Sequence, residues 1–156
     1  TGGARVADLP DAVLFTCNFN RVRSPMAEAL FKRFYGIRAF VDSCGLRGDP
    51  DGEGIDPFVI AVMDELGLDV TGHRPKTFAE LEDGSFDVVV SLTPEAQHRA
   101  VEMARGRAVE IEYWPTHDPT LVDGSREARL EAYREVRDGL ARAIKQRFGA
   151  PSTFGG

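Results

Sequence analysis

Cys17 and Arg23 stand with five residues between them, Asn18, Phe19, Asn20, Arg21 and Val22, and Ser24 and Pro25 follow. Types and spacing together suit oxyanion chemistry. Successive backbone N–H groups from Asn18 to Ser24 in a tight loop form a nest for an anion. A helix opening at Ser24-Pro25 adds its positive end. The planar fork of Arg23 can hold two phosphate oxygens at once, most usefully as charge shifts in a transition state. The same positive field, to which Arg21 also contributes, favours the thiolate, the nucleophilic form of Cys17. Ser24 can donate a hydrogen bond to that thiolate and later to the departing sulfur. A lone cysteine beside a strand is by itself more often a small buried hydrophobe. Strand, Cys-x5-Arg-Ser-Pro and helix in that order are far more specific than the cysteine alone.

The elements that must position this loop follow from pattern. Ala12 to Thr16 is a short apolar run and reads as a buried strand. Ser24 as N-cap and Pro25 at the first helical position open a helix, with Met26, Ala27, Leu30, Phe31 and Phe34 at helical spacing and Gly36 as its stop. Further strands are expected over Ala39–Ser43, Phe86–Leu92 and Ala108–Trp114, the last alternating Val109, Ile111 and Tyr113. Further helices are expected from Pro57 to Leu66, Pro94 to Arg105 and Ser125 to Phe148. The last carries an apolar stripe of Leu130, Tyr133, Val136, Leu140 and Ile144. Gly45 to Asp56 and Pro115 to Gly124 read as loops. Alternating strands and helices predict an α/β fold, a three-layer αβα arrangement whose parallel sheet is covered on both faces. Ligands in such folds sit beyond the carboxyl ends of the strands, so the loop after the first strand is the expected site.

Composition bounds the rest. The chain has 156 residues, 42% hydrophobic and 28% charged, which fits one globular domain and excludes a disordered one. That domain is expected over residues 11–148, between an N-terminal tail of residues 1–10 and a flexible C-terminal tail of residues 149–156. Two cysteines, Cys17 and Cys44, are too few for a disulfide framework or a four-cysteine zinc site. The net charge of −6 argues against a general nucleic-acid or acidic-membrane binder. No apolar run approaches the roughly 20 residues that span a bilayer. With no export signal visible and thiols expected reduced, the cytoplasm is the expected compartment.

The segment Cys17 to Glu28, CNFNRVRSPMAE, resembles the phosphate loop and first helix of the low-molecular-weight protein tyrosine phosphatases. The likeness continues through Val41-Asp42-Ser43, Gly67 to His73, Phe86 to Leu92 and Asp118-Pro119. It implies a four-stranded parallel sheet flanked by helices and a mechanism needing no metal and no cofactor. In it Cys17 attacks phosphorus, Arg23 clamps the phosphoryl group, and Asp118 protonates the leaving oxygen and then activates water. Asp118 follows a strand end, which places it near the same sheet edge; without the cysteine loop an Asp-Pro pair would read as a turn. The resemblance also implies that Asn20, Ser24, Ser43 and His73 form the hydrogen-bond network that stiffens the loop, with Asn20 left-handed, a conformation Asn tolerates. His98 reads as solvated, and His117 as a solvated loop residue or a tuner of Asp118. The implied partners are a phosphorylated protein, phosphotyrosine first, or a small phosphomonoester; free phosphate or sulfate suits the same cradle.

Several positions differ from the family pattern. Phe19 stands where Gly is usual, Val22 where many members carry a second Cys, and Thr120 where Tyr commonly follows Asp-Pro. The 45–56 loop holds no aromatic residue; Arg47 and Phe58 are the nearest substitutes, each with a simpler reading as solvated or packed. These differences bear on which ester is accepted. Arsenate reductase is the first alternative, because arsenate mimics phosphate. Its thioredoxin-coupled type needs two further cysteines after the third strand, and none occurs between Leu92 and Phe148. A type using an external thiol needs only Cys17, with Cys44 the one candidate resolving thiol. A non-catalytic phosphate- or phosphopeptide-binding module is the second alternative.

Overall fold

In the computed structural model, which describes residues 9–49, 51–81 and 84–151, four parallel strands form one sheet in the order β2-β1-β3-β4. The strands are β1 (Ala12–Cys17), β2 (Phe40–Gly45), β3 (Val88–Ser91) and β4 (Glu110–Tyr113). Helices α1 (Arg23–Tyr35), α2 (Pro57–Asp64), α3 (Pro94–Ala104) and α4 (Arg126–Phe148) connect and follow them. The expected αβα layering is therefore present. The expected terminal tails, 1–10 and 149–156, lie largely outside the described residues.

The chain leaves β1 to pair on one side with β2, then returns past β1 to pair on the other side with β3. The order thus switches at the carboxyl end of β1, where Cys17 stands, and a crevice opens there. Strand periodicity divides β1 between two cores. Val13, Phe15 and Cys17 join the larger one with α1, α2 and α4, while Ala12 and Leu14 join the smaller one under α3. Phe15, Phe31, Trp114 and Phe148 meet in edge-on or tilted pairs with ring centroids 5.3 to 6.2 Å apart. Such pairs contribute about 0.5–1.5 kcal/mol each beyond burial. They fasten α1, α4 and the segment after β4 to the central strand.

Some expected boundaries move. The apolar run 86–92 yields only four strand residues, although the ladder continues through Asp87 N–H to the Ala12 carbonyl and Leu92 N–H to the Thr16 carbonyl, both 2.9 Å. β4 is an edge strand whose Tyr113 is exposed, so its alternation buries Ile111 better than Tyr113. The expected start of α1 is wrong by two residues and in its chemistry. The helix begins at Arg23, Val22 occupies the N-cap without a side-chain bond, and Pro25 is the third helical residue. Ser24 does not cap, because its hydroxyl faces Cys17; Pro25 is tolerated because the first-turn N–H groups lack helical partners anyway. By contrast Asp56, Thr93 and Ser125 cap α2, α3 and α4 through their side chains. A short 3-10 turn at Phe78–Glu80, unforeseen from pattern, is closed by a Thr77–Glu80 capping box.

The end of β2 touches the loop directly. Leu46 N–H donates to the Cys17 carbonyl at 2.9 Å and Arg47 N–H to the Asn18 carbonyl at 2.8 Å. A Cβ on Gly45 would lie 2.7 to 2.9 Å from the Phe19 carbonyl carbon, the Asn20 nitrogen and the Asn18 oxygen. Only hydrogen fits there. Gly45→Ala should therefore push the 17–24 loop away, lowering stability by about 1–3 kcal/mol and weakening oxyanion binding. Thermal unfolding with and without phosphate tests both effects; an unchanged phosphate-induced shift would count against the close approach.

Candidate active site

The loop between β1 and α1 turns its carbonyls outward. Besides the two bonds to Leu46 and Arg47, the Asn20 carbonyl accepts from His73 Nε2 at 2.9 Å and the Arg21 carbonyl from Asp56 N–H at 3.1 Å. The Val22 carbonyl accepts the Met26 N–H, the first bond of α1. No backbone N–H from Asn18 to Val22 donates to any described residue. Donors without partners, gathered at a helix start, leave a nest for an anion.

Asn20 makes this shape possible. It is buried at φ 60°, the one left-handed non-glycine residue among those described. Its side-chain N–H groups donate to Ser24 Oγ at 2.8 Å and Ser43 Oγ at 2.9 Å, and its Oδ1 accepts from Lys76 N–H at 3.1 Å. Ser43 Oγ donates onward to Glu28 Oε1 at 2.5 Å. A left-handed residue carries strain that only such over-determination holds in place. Since a carbonyl can only accept, His73 Nε2 carries the proton in its bond to Asn20. The four residues expected to stiffen the loop, Asn20, Ser24, Ser43 and His73, thus do meet. Glu28, Lys76 and Thr93, whose Oγ1 donates to Asn18 Oδ1 at 2.8 Å, join them without having been singled out. Thr93-Pro94 carried a helix-start signal after a strand, which is where such a residue is found; nothing in sequence marked the backbone of Lys76.

Cys17 lies at the floor of a cleft of about 240 Å³ lined also by Phe19, Arg21, Val22, Arg23, Asp118 and Thr120. Its Sγ is 3.0 Å from Ser24 Oγ. Arg23 is buried beneath the rim and donates from one terminal nitrogen to the Thr116 carbonyl at 2.9 Å. Its other terminal nitrogen is 3.9 Å from Asp118 Oδ2. Pairing of β3 with β4 continues past the strand ends, through Trp114 N–H to Ser91 and Thr116 N–H to Leu92, and carries Asp118 to the cleft. Asp118 is at once turn former and cleft residue. Its Oδ1 accepts from Thr120 N–H and Oγ1, while Oδ2 faces Arg23.

The expectation for the Arg21 side chain is corrected. The Arg21 guanidinium turns away from the nest to an acid-rich neighbour, with Nε donating to the Gly54 carbonyl at 2.6 Å and ion pairs to Glu53 and Asp49. Its positive charge is thereby spent on Asp49, Glu53 and the Gly54 carbonyl, although Arg21 still lines the cleft. Phe58 packs edge-on against Tyr133, and Arg47 is exposed away from the lining; neither substitutes for the missing aromatic residue. Phe19, 40% exposed, and Thr120 form the wall instead. His98 and His117 are exposed. Cys44 is fully buried in the core under α3, on the opposite sheet face from Cys17, and its Sγ donates to Thr16 Oγ1. Burial pushes its thiol up to about 12. Among the described residues no group of three or more His, Cys, Asp or Glu is placed to hold a metal ion, and no helix is long and apolar enough to cross a membrane.

A nest of unpartnered amides at the switch point of a four-stranded parallel sheet, with a cysteine at its floor, defines a class. Residues 12–150 match the family model described as low molecular weight phosphotyrosine protein phosphatase, and the chain belongs to that family. Its curated relatives carry two kinds of name. The glutaredoxin arsenate reductase of Synechocystis sp. is 32% identical over 85% of this chain and 92% of its own length. The arsenate reductase of Halalkalibacterium halodurans is 29% identical over 85% and 91%. The low molecular weight protein-tyrosine-phosphatase Wzb of Escherichia coli K12 is 30% identical over 86% and 90%. Among solved structures, the low molecular weight protein tyrosine phosphatase from T. tengcongensis superimposes with a TM-score of 0.71 at 25% identity, covering 86% of this chain and 95% of that one. The YwlE arginine phosphatase, a cysteine-to-serine mutant with a phosphorylated active-site serine, does so with 0.69 at 25%, covering 86% and 91%.

Burial of the His73 imidazole, against the opposing pull of its bond to Asn20, gives the fold a pH dependence. Burial holds the His73 imidazole below its ordinary 6.5, so the unfolded chain binds the proton first as pH falls. Its stabilising contribution is complete above 6.5 and is lost as pH drops through and below that value. His73→Gln, which keeps a donor toward Asn20, should lose less stability than the wild type between pH 7 and 5. Urea midpoints across that range test this, and parallel curves would contradict it.

Proposed function

We propose that this chain is a phosphatase that hydrolyses phosphate monoesters, protein phosphotyrosine first among them, through a cysteinyl-phosphate. One observation carries the reading: Cys17 Sγ, a nest of unpartnered amides, the Arg23 fork and the Asp118 carboxylate all open onto one cleft. The phosphate sits in the nest, its charge met by the amides and Arg23. Cys17 thiolate attacks phosphorus in line with the leaving oxygen. Asp118, through Oδ2, gives that oxygen its proton, and the alcohol or phenol departs. The same carboxylate then takes a proton from water as the water attacks the cysteinyl-phosphate, and Cys17 leaves as thiolate toward the Ser24 hydroxyl. The phosphorylated serine in the similar YwlE mutant supports a covalent step at the equivalent nucleophile. Phe19 supplies the apolar wall a phenyl ester needs.

Relatives named arsenate reductase support a second reading. There the Cys17 thiolate bonds to arsenic as arsenate loses water, and an external thiol attacks the Cys17 sulfur. The S–As bond breaks with its electron pair going to arsenic, which departs as arsenite, and the two sulfurs end as a mixed disulfide. Cys44, buried on the other sheet face, is placed for packing and not for this step.

Hydrolysis of p-nitrophenyl phosphate in a chelating buffer should be abolished by Cys17→Ser and slowed about 10²–10⁴-fold by Asp118→Asn. Mass spectrometry of Cys17→Ser should detect a phosphoryl adduct. Thiol-dependent arsenate reduction without hydrolysis would reverse the order of the two readings. Phosphate binding with neither activity would leave a binding module.

A further inference from the structure

Tyr133 lies on α4, outside the cleft lining, yet it is tied to the phosphate loop in two steps. The side chain is 2% exposed and its hydroxyl donates to Asp56 Oδ2 at 2.8 Å. The other carboxylate oxygen of Asp56 accepts from Phe58 N–H at 2.8 Å and caps α2. The backbone N–H of Asp56 donates to the Arg21 carbonyl at 3.1 Å. Asp56 is therefore a junction where α4, the start of α2 and the phosphate loop meet.

We propose that Tyr133 is a positioning residue for oxyanion binding: through Asp56 it holds the Arg21 carbonyl outward and so keeps the neighbouring amides turned into the cleft. The loop has few such fastenings on this side. Asn20 is locked from the β2 and His73 side, whereas between Asn20 and α1 the described backbone bond that ties the loop to a segment outside α1 is the one from Asp56. The Arg21 side chain grips Gly54, two residues before Asp56, so its hold also depends on where Asp56 is fixed. A buried phenol and a carboxylate suit this duty, since a hydrogen bond to a charged group is about twice as strong as a neutral one and is directional. Burial and the Asp56 carboxylate both push the phenol pKa up, so the hydroxyl stays a donor over the working pH range.

The role rests on the proposed reading only in requiring that the loop bind a tetrahedral oxyanion, so the probe is inorganic phosphate measured by calorimetry, beside p-nitrophenyl phosphate turnover. Tyr133→Phe should weaken phosphate affinity about fivefold or more, by loss of one charge-assisted bond. Asp56→Ser, which keeps an N-cap oxygen but withdraws the acceptor from Tyr133, should do the same. The double variant should be no worse than the poorer single one, because both break one link. Ile144→Val, a core change near the far end of α4, serves as a stability control and should lower Tm with phosphate affinity unchanged. Unchanged phosphate affinity in folded Tyr133→Phe, or additive losses in the double variant, would overturn the proposal. If Tyr133→Phe does not fold, Asp56→Ser alone decides. Absence of turnover in the wild type, with the affinity pattern intact, would sink the phosphatase reading and leave the positioning role standing.

Discussion

A backbone amide can serve an anion only if its own carbonyl neighbours point elsewhere, and the loop from Cys17 to Ser24 is organised by that constraint. Five of its carbonyls are taken by donors that come from different parts of the chain: Leu46, Arg47, His73, Asp56 and Met26. These donors come from the end of β2, the segment before α2, the turn at His73 and α1 itself, which is why the site draws on so much of the chain. The sheet fixes where the loop starts. The outward bonds fix what it shows to the cleft.

Charge is handled in the same way. Arg23 is held beneath the rim by the Thr116 carbonyl, a neutral partner that orients the fork without cancelling it, while Asp118 stays 3.9 Å off. Arg21 is neutralised by Asp49 and Glu53, so the positive charge facing a ligand is concentrated on one side chain and the amides. A net charge of −6 is compatible with a phosphate site because the site is small and its donors are local.

Much of this was legible in the residues. The strand–loop–helix order around Cys17, the late Asp-Pro after a strand and the α/β alternation are local patterns, and local patterns survive the absence of coordinates. The N-cap assignment of Ser24 failed because Ser24 is the second helical residue, where its hydroxyl faces Cys17 and leaves the cap position to Val22. The Arg21 side chain was misplaced for a related reason: its acidic partners lie about thirty residues away, where spacing carries no signal. The roles of Gly45, Lys76 and Asp56 were invisible, since a glycine required by close approach and an N–H aimed at a distant carbonyl look in sequence like any loop residue.

The contact at Gly45 also bears on how the chain reaches its fold. A parallel strand that slips by one residue moves every side chain to the opposite face. In β2 such a slip would bring the Cβ of Cys44 or Leu46 to the place where only hydrogen fits against the phosphate loop. Mispaired β2 and a formed nest are therefore mutually exclusive. The loop proofreads the register of the sheet that supports it, so that assembly of the site and correct pairing of β2 form one cooperative event.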